Sequence, residues 1–383
     1  MSKNSHHFDP LDVRILEALD SLGPRNISQV ARALGTDDAK VRSKIRRMSS
    51  DFYLRMSATV YHTNLGLKKA VAFVPANPGY EDLLFNCLKL NPFFHYLTRC
   101  YGAYEGCFAI YTIPINHCLE FTSFLQEIEK LGIAKETRIF WSTCFHTVNR
   151  TSMWFDCEFS MWIFPWSKWT EEIPNQGTSL PYTLVDPKDF PNRANDQFDL
   201  WITAKLEVDA RSSLTEIAKM LKTTPQNIRY HYQEHILPRG LIEKFQIFMF
   251  PFDREVSSMF WFMFKFDRAE NMAKFALSLL DKPFANVVGK ILGENALVAQ
   301  IYLPMLEFRR FVEGLSQLCR NGLLKSYEYV IQDLRKGKWA RQTIPYEHSD
   351  NVEWVYNHDQ QIERLRKMVK EPQGKLLASV GLR

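Results

Sequence analysis

No stretch of the 383-residue sequence approaches the ~20 consecutive apolar residues that a membrane-spanning helix needs. The densest, around Phe260–Phe264, is broken by Lys265. The start, Met1-Ser-Lys-Asn-Ser-His-His, lacks the apolar core of a secretory signal. Cysteines number seven, an odd count with no C-x-x-C spacing, which argues against a paired disulfide scaffold and a clustered zinc site. They read as reduced thiols packed as small hydrophobes in a cytoplasmic protein with no membrane partner. G-x-S-x-G, P-loop, dinucleotide and H-E-x-x-H motifs are all missing, and the adjacent carboxylates Glu81/Asp82 and Asp37/Asp38 do not share a face. These absences predict a chain that is not an enzyme, with no catalytic residue, cofactor or metal. Net charge is only +5, too small to imply a nucleic-acid partner unless the basic residues cluster.

What is present is a globular composition, 46% hydrophobic and 24% charged, which excludes a disordered or collagen-like chain. It is also a repeat. Leu11–Arg42 aligns with Phe198–Arg229 without a gap: Asp12 meets Asp199, Ile15 meets Ile202, Val30 meets Ile217, Leu34 meets Leu221 and Val41 meets Ile228. The match resumes as Asn91-Pro-Phe with Lys282-Pro-Phe, Tyr101-Gly102 with Leu292-Gly293, and Phe121, Leu125 and Gly132 with Phe311, Leu315 and Gly322. The chain is thus a tandem A-B-A′-B′. Units A and A′ each show three short helical patterns. In A, Thr36 is the N-cap candidate of the third helix, which carries Val41, Ile45 and Met48; in A′, Thr224 caps and Pro225 follows. An extended stretch, Glu243–Phe252, follows A′ as a wing strand. Units B and B′ alternate as βαββαβ. The predicted fold class is α+β: two winged helix-turn-helix units, each followed by a ferredoxin-like domain. The boundaries are 8–60 for A, 61–148 for B, 149–195 for a Trp-rich extension and linker, 196–252 for A′, 253–334 for B′ and 335–383 for a C-terminal extension.

The run Asp209-Ala-Arg-Ser-Ser-Leu-Thr-Glu-Ile-Ala-Lys-Met-Leu221, then Thr224-Pro-Gln-Asn-Ile-Arg229 and Arg239-Gly-Leu-Ile242, resembles the DNA-binding half of Lrp/AsnC-type transcriptional regulators. Unit B resembles that family's effector and oligomerisation domain, with Gly-containing turns at Gly102-Ala-Tyr-Glu and Gly293-Glu-Asn. The resemblance implies a double-stranded DNA partner, a homo-oligomer and a small-molecule effector near Gly102, Tyr104 and Gly293. A usual member carries one A-B pair and this chain carries two, which implies an intrachain pseudo-dimer.

In A, the face opposite Val41, Ile45 and Met48 is Lys40, Ser43, Lys44 and Arg47, flanked by Arg42 and Arg46. Such a ridge suits phosphate neutralisation and guanine reading. In A′, Gln226, Asn227, Arg229 and Tyr230, with Thr224 and Arg239, offer amides and one guanidinium that specify more than they attract. His231 and His235 share a face at i, i+4; with no third ligand visible in sequence they read as an interface or capping pair. Trp154, Trp162, Trp166 and Trp169 read as anchors for the extension, as do Trp339 and Trp354. The main reading is a sequence-specific DNA-binding regulator. Two alternatives stand beside it. Some proteins of this fold are tetrapyrrole (siroheme-type) decarboxylases, for which His62, His95 and His146 are candidates, and degenerate winged helices also serve as protein-interaction scaffolds.

Overall fold

In the computed structural model, which describes residues 8–340 and 342–370, unit A begins at a reciprocal cap. Asp9 accepts the backbone N–H of Asp12 and the Asp12 carboxylate accepts that of Asp9, opening α1 (Pro10–Leu22) with proline in its first turn. Helix α2 (Ile27–Leu34) stops at Gly35, whose φ of +64° suits a residue without Cβ. Helix α3 (Asp38–Asp51) is capped by Asp37 rather than Thr36. That carboxylate accepts the Lys40 N–H at 2.7 Å, where a negative group also meets the positive helix end. Val41, Ile45 and Met48 are buried, as their spacing predicts. Strand β1 (Arg55–Val60) leaves the unit.

Unit B follows as β2 (Leu67–Pro75), α4 (Glu81–Lys89), β3 (Phe94–Gly102), β4 (Gly106–Pro114), α5 (Cys118–Lys130) and β5 (Arg138–Thr147). The extension holds a short pair, β6 (Phe155–Asp156) and β7 (Met161–Trp162), then α6 (Trp166–Glu172). Unit A′ comprises α7 (Gln197–Val208), α8 (Leu214–Met220), α9 (Pro225–Tyr230), a π-helical turn His231–Ile236, and β8 (Ile242–Phe248). B′ repeats the order of B with β9 (Ser257–Lys265), α10 (Ala269–Leu279), β10 (Ala285–Ile291), β11 (Ala296–Pro304), α11 (Met305–Arg320) and β12 (Ser326–Gln332). The C-terminal extension adds β13 (Lys338–Trp339) and α12 (His358–Lys370). Residues 1–7, Arg341, residues 371–383 and the Trp339 side chain lie outside the described residues. Among the described residues, no helix is long and apolar enough to cross a membrane.

The wing differs from its expected form. Each helical unit contributes one strand, and β1 pairs antiparallel with β8, from Arg55 opposite Phe248 to Val60 near Ile242. Met56, Ala58 and Val60 alternate inward along β1. A lone strand cannot bury that edge, so the two units share one ribbon.

Units B and B′ also share their sheets. Strand order is β12-β9-β11-β10-β5-β2-β4-β3-β13, every pair is antiparallel, and β12 pairs with β3 as well. Eight strands therefore close into a barrel, joined by β5–β10 on one side and by three residue pairs of β12–β3 on the other. Where β12 leaves β3, β13 takes the vacant edge, Lys338 opposite Leu97. Alternation of direction makes β3 and β10 run the same way, so the Gly102 and Gly293 turns share one end. Units A and A′ sit at the other, near end, where β2 and β9 begin.

The barrel is filled. Val71, Phe73, Phe108, Ile110, Phe145, Trp261 and Met263 form a continuous interior cluster, with Trp261 stacked on Phe108 at 4.6 Å between ring centres. Gly289 is required there, because a Cβ would fall 2.4 Å from the Phe145 ring. Outside the barrel, α4 and α5 pack on one half and α10 and α11 on the other. Trp154, Trp166 and Trp169 are buried against Phe284, and Trp169 stacks on Phe311, so the Trp-rich extension fastens onto B′. Trp354 donates to the Leu65 carbonyl at 2.6 Å.

Candidate functional site

Strand register singles out one end of the barrel. The third residue of β2 is Lys69, opposite Thr112; the third residue of β9 is Met259, opposite Tyr302. The second residue of β3 is His95, and that of β10 is Asn286. One half of the duplication therefore carries an ammonium and an imidazole where the other carries a thioether and an amide. B′ meets the same positions differently: the buried guanidinium of Arg150 donates to Asn286 Oδ1 at 3.2 Å.

Lys69 is 3% exposed and makes no ion pair among the described residues; its Nζ lies 5.3 Å from the centre of the Phe145 ring. Burial pushes its pKa down to about 8, against the opposing pull of Cys144 and Glu207. His62, in the turn between β1 and β2, is 2% exposed, and its Nε2 stands 2.7 Å from the Thr343 hydroxyl. Thr343 in turn donates its hydroxyl to Glu207, and its backbone N–H at 3.1 Å. Burial raises Glu207 to about 7, with the Thr343 hydrogen bonds acting in the opposite sense. On the other side, His95 Nδ1 lies 3.3 Å from the Thr112 hydroxyl. Burial first, and then the charge of Lys69, hold both His62 and His95 well below the usual imidazole range. The arrangement is a line, Glu207–Thr343–His62, and a pair, His95–Thr112, both within electrostatic reach of Lys69.

Four parts of the chain meet here: β2–β4 of the barrel, the β1–β2 turn, the last turn of α7, and the C-terminal extension. The extension is threaded across the barrel mouth after β13. The Ala340 N–H donates to the His95 carbonyl at 2.9 Å, and Ile344 is buried among residues of A′. A cleft of about 140 Å³ opens beside it, lined by Pro92, Phe93, Phe94, Thr343, Tyr346 and His348.

These groups oppose each other with pH. His62 is depressed, so below about pH 6.5 the unfolded chain binds a proton that the folded chain refuses, and stability is lost on acidification. Glu207 is raised, so its contribution is complete below its ordinary value near 4.5 and is lost as pH rises through about 7. Each slope is worth about 1.4 kcal/mol per pH unit at most. His62→Gln is expected to flatten the acid-side loss between pH 6.5 and 5, and Glu207→Gln to steepen it. Urea denaturation at the two pH values checks both signs, and parallel profiles for the two variants would contradict them.

The residues predicted from sequence are dispersed. Lys40, Arg42, Ser43 and Arg46 are exposed on α3. Lys44 and Arg47 turn inward instead. Lys44 pairs with Asp9 and lies 3.3 Å from Asp12, and Arg47 pairs with Asp12, whose side chain is fully buried. In A′, Gln226, Arg229 and Tyr230 are exposed, Thr224 caps α9, and Asn227 Nδ2 donates to the Thr223 hydroxyl at 3.2 Å. Arg239 clasps the linker through the Arg193 carbonyl at 3.1 Å. Gly102 and Gly293 lie at the far end of the barrel. Tyr104 is packed into its interior cluster against Phe73, and the Gly293 N–H donates to Asp186 at 3.3 Å. Of the three candidate histidines, His62 and His95 flank Lys69. His146 is bound instead to Thr183 at 2.8 Å and to Glu243 at 3.2 Å. Sequence reasoning missed Lys69, Thr112, Glu207 and Thr343. For Lys69 a signal existed: period-two alternation puts it on the face of Val71 and Phe73, a charge where an apolar residue is due.

No protein-family model matches this sequence, and no curated protein does. Among solved structures, the siroheme decarboxylase NirDL aligns with 94% of this chain and 98% of its own at 10% identity and a TM-score of 0.49. Its complex with an iron-uroporphyrin III analogue aligns with 93% and 97% at 12% identity and a TM-score of 0.47. PH0061 aligns with 37% of this chain and 95% of its own at 20% identity and a TM-score of 0.30. Two winged-helix units and two βαββαβ units in tandem make the fold Lrp/AsnC-like. Against the expectation that the chain is not an enzyme stands the printed name of NirDL, a decarboxylase, on both structures that align with nearly its whole length, and no finding among these similarities speaks for DNA binding.

Proposed function

We propose that this chain decarboxylates a carboxylate-bearing tetrapyrrole, with its reaction centre at the near end of the barrel around Lys69, His62 and His95. The observation that carries the reading is the placement of buried Lys69, and of His95, at positions that the duplicated half fills with Met259 and Asn286. Perturbed groups gathered where several segments meet are a mark of chemistry.

Decarboxylation of a side chain on a conjugated ring breaks one C–C bond. Its electron pair stays on the side-chain carbon, carbon dioxide leaves, and a proton takes its place. No oxidant is consumed. The step asks for a cation that positions the carboxylate, a dry setting that disfavours its localised charge, and a proton source near neutrality. Lys69, charged for the most part at pH 7, meets the first need. Its burial with Thr112, His62 and the Phe145 ring meets the second. Glu207, half-protonated near pH 7, meets the third through the Thr343 hydroxyl and His62. Phe93, Phe94 and Pro92 offer apolar walls to a flat ring, and a macrocycle larger than the present cleft displaces the segment between Gln342 and His348.

Siroheme, the substrate in the name of NirDL, is the probe. Incubation with stoichiometric protein is expected to shift the pigment's visible spectrum and to yield product lighter by one carbon dioxide for each carboxylate lost, read by mass spectrometry. Unchanged mass together with no thermal shift of the protein sinks the reading.

A second reading rests on a separate observation, the exposure of Arg42 and Arg46, one turn apart on one side of α3. If that side lies on duplex DNA, Arg42→Ala with Arg46→Ala lowers the slope of log K against log salt by about 2, since each phosphate contact contributes about 0.9. An unaltered slope, or no salt-dependent binding by the parent chain, removes this reading.

A further inference from the structure

The duplication preserves a buried aspartate and changes what faces it. Asp12 and Asp199 occupy the same position at the start of α1 and α7, and both are fully buried. Around Asp12 stand Lys44 and Arg47, two permanent cations. With the register that aligns the two units, Lys44 corresponds to His231, Arg47 to Glu234 and Met48 to His235. Around Asp199, among the described residues, stand two imidazoles and no paired lysine or arginine. His231 Nδ1 lies 2.8 Å and His235 Nδ1 3.1 Å from the same oxygen, Asp199 Oδ1. The carboxylate of Asp196 adds an oxygen 3.6 Å from His231 Nδ1. A buried carboxylate faced by two imidazoles and a second acid lacks the fixed countercharge that its counterpart in A has.

We propose that A′ supplies that charge with a divalent transition metal ion, Zn²⁺ by chemical class, held by Asp199, His231 and His235. Three observations converge. The three ligand atoms lie within 4.8 Å of one another, the one group of this kind among the described residues. Ligands around Zn²⁺ at about 2.0–2.1 Å are separated by about 3.0–3.4 Å, so the two imidazole-to-carboxylate spacings, 2.8 and 3.1 Å, need to open by only tenths of an ångström. The two histidines stand on a π-helical turn, His231–Ile236, where α9 abandons α geometry, and their ring centres are 4.9 Å apart. Such turns are rare and recur at functional sites.

On binding, each neutral imidazole carries its proton on Nε2 and turns the Nδ1 lone pair to the metal, so no proton need be lost. Phe198 and Tyr230 flank the rings, with centres 5.4 Å from His231 and 4.9 Å from His235, and shield the ion. The ion ties the start of α7 to the end of the third helix of A′, the task that Lys44 and Arg47 perform in A. The site is separate from the Lys69 cluster and does not depend on the proposed decarboxylation.

The test copies unit A into A′. Full-length protein stripped with a chelator is titrated with Zn²⁺ by calorimetry and with Co²⁺ by visible absorption, beside a triple variant, His231→Lys, Glu234→Arg and His235→Met. The variant restores the ion pair seen in A, so it keeps a folded A′ unit, which circular dichroism verifies. The parent is expected to bind one ion per chain with a rise in thermal midpoint. The variant is expected to bind at least about 100-fold more weakly, beyond what loss of an outer-shell partner alone costs. Equal binding by both proteins, or none by the parent at micromolar metal, overturns the proposal.

Discussion

Replacing Lys69 with methionine is expected to make the protein more stable and to abolish tetrapyrrole turnover. Bringing a lysine from its ordinary value of 10.5 down to about 8 means that the charged form is disfavoured in the fold. At pH 7 this amounts to roughly 3 kcal/mol, at about 1.4 kcal/mol per unit. The linkage has a definite sign. For a depressed lysine the stabilising contribution is complete above 10.5 and is lost as pH falls through about 8, so at neutral pH the loss is already present. Methionine is the residue that B′ carries at the equivalent position, Met259, fully buried beside Tyr302. It fits the geometry and needs no counter-charge. A gain of about 1–3 kcal/mol in denaturant unfolding at pH 7 is the expected result, in the range seen when buried charges give way to apolar groups. Glu207 loses a favourable neighbour in this variant and retains its proton more firmly. If Lys69→Met instead destabilises the fold, Lys69 serves the structure, and the case for a reaction centre here fails.

The readable and unreadable parts of this molecule divide by range. Tandem units and the order of helices and strands follow from patterns within a few residues, whereas ends are less sharp: the wing strand expected over Glu243–Phe252 runs from Ile242 to Phe248. The shared ribbon of β1 and β8 was not legible, because residue 55 meets residue 248 only once both units are folded. Closure of the barrel was not legible either, since β12 meets β3 through Val330 and Gly102. The candidate site suffers most from this. Glu207 and Thr343 are ordinary residues in sequence, and only folding brings them to His62. His231 and His235 were visible as a pair, but their partner Asp199 lies 32 residues upstream of the first. Conversely, a cationic stripe legible at i, i+3, i+4 and i+7 proved to be two faces. Lys40 and Ser43 point outward, whereas Lys44 and Arg47 serve Asp12, because a buried carboxylate outcompetes solvent for nearby charge.

Removing Lys44 and Arg47 together is accordingly expected to unfold unit A rather than merely weaken an interaction with phosphate. Their targets are unequal. Asp9 is half-exposed and can return to water, whereas the Asp12 side chain has no exposure at all. Its remaining hydrogen bond is the Asp9 N–H at 2.9 Å, which cannot offset a desolvated charge. Stripping both cations from such a group costs about 3–5 kcal/mol. Either single variant leaves one partner and costs less. The loss falls on one local cluster, since Val41, Ile45 and Met48 of the same helix form the unit's core with Ile15, Leu19 and Val30. Hydrogen exchange should therefore show α1–α3 losing protection while β2–β5 keep theirs. Adding Asp12→Asn to the double variant removes the stranded charge and should recover a substantial part of the loss. If the double variant exchanges no faster than the parent, or if Asp12→Asn recovers nothing, the buried ion pair is not what holds unit A together.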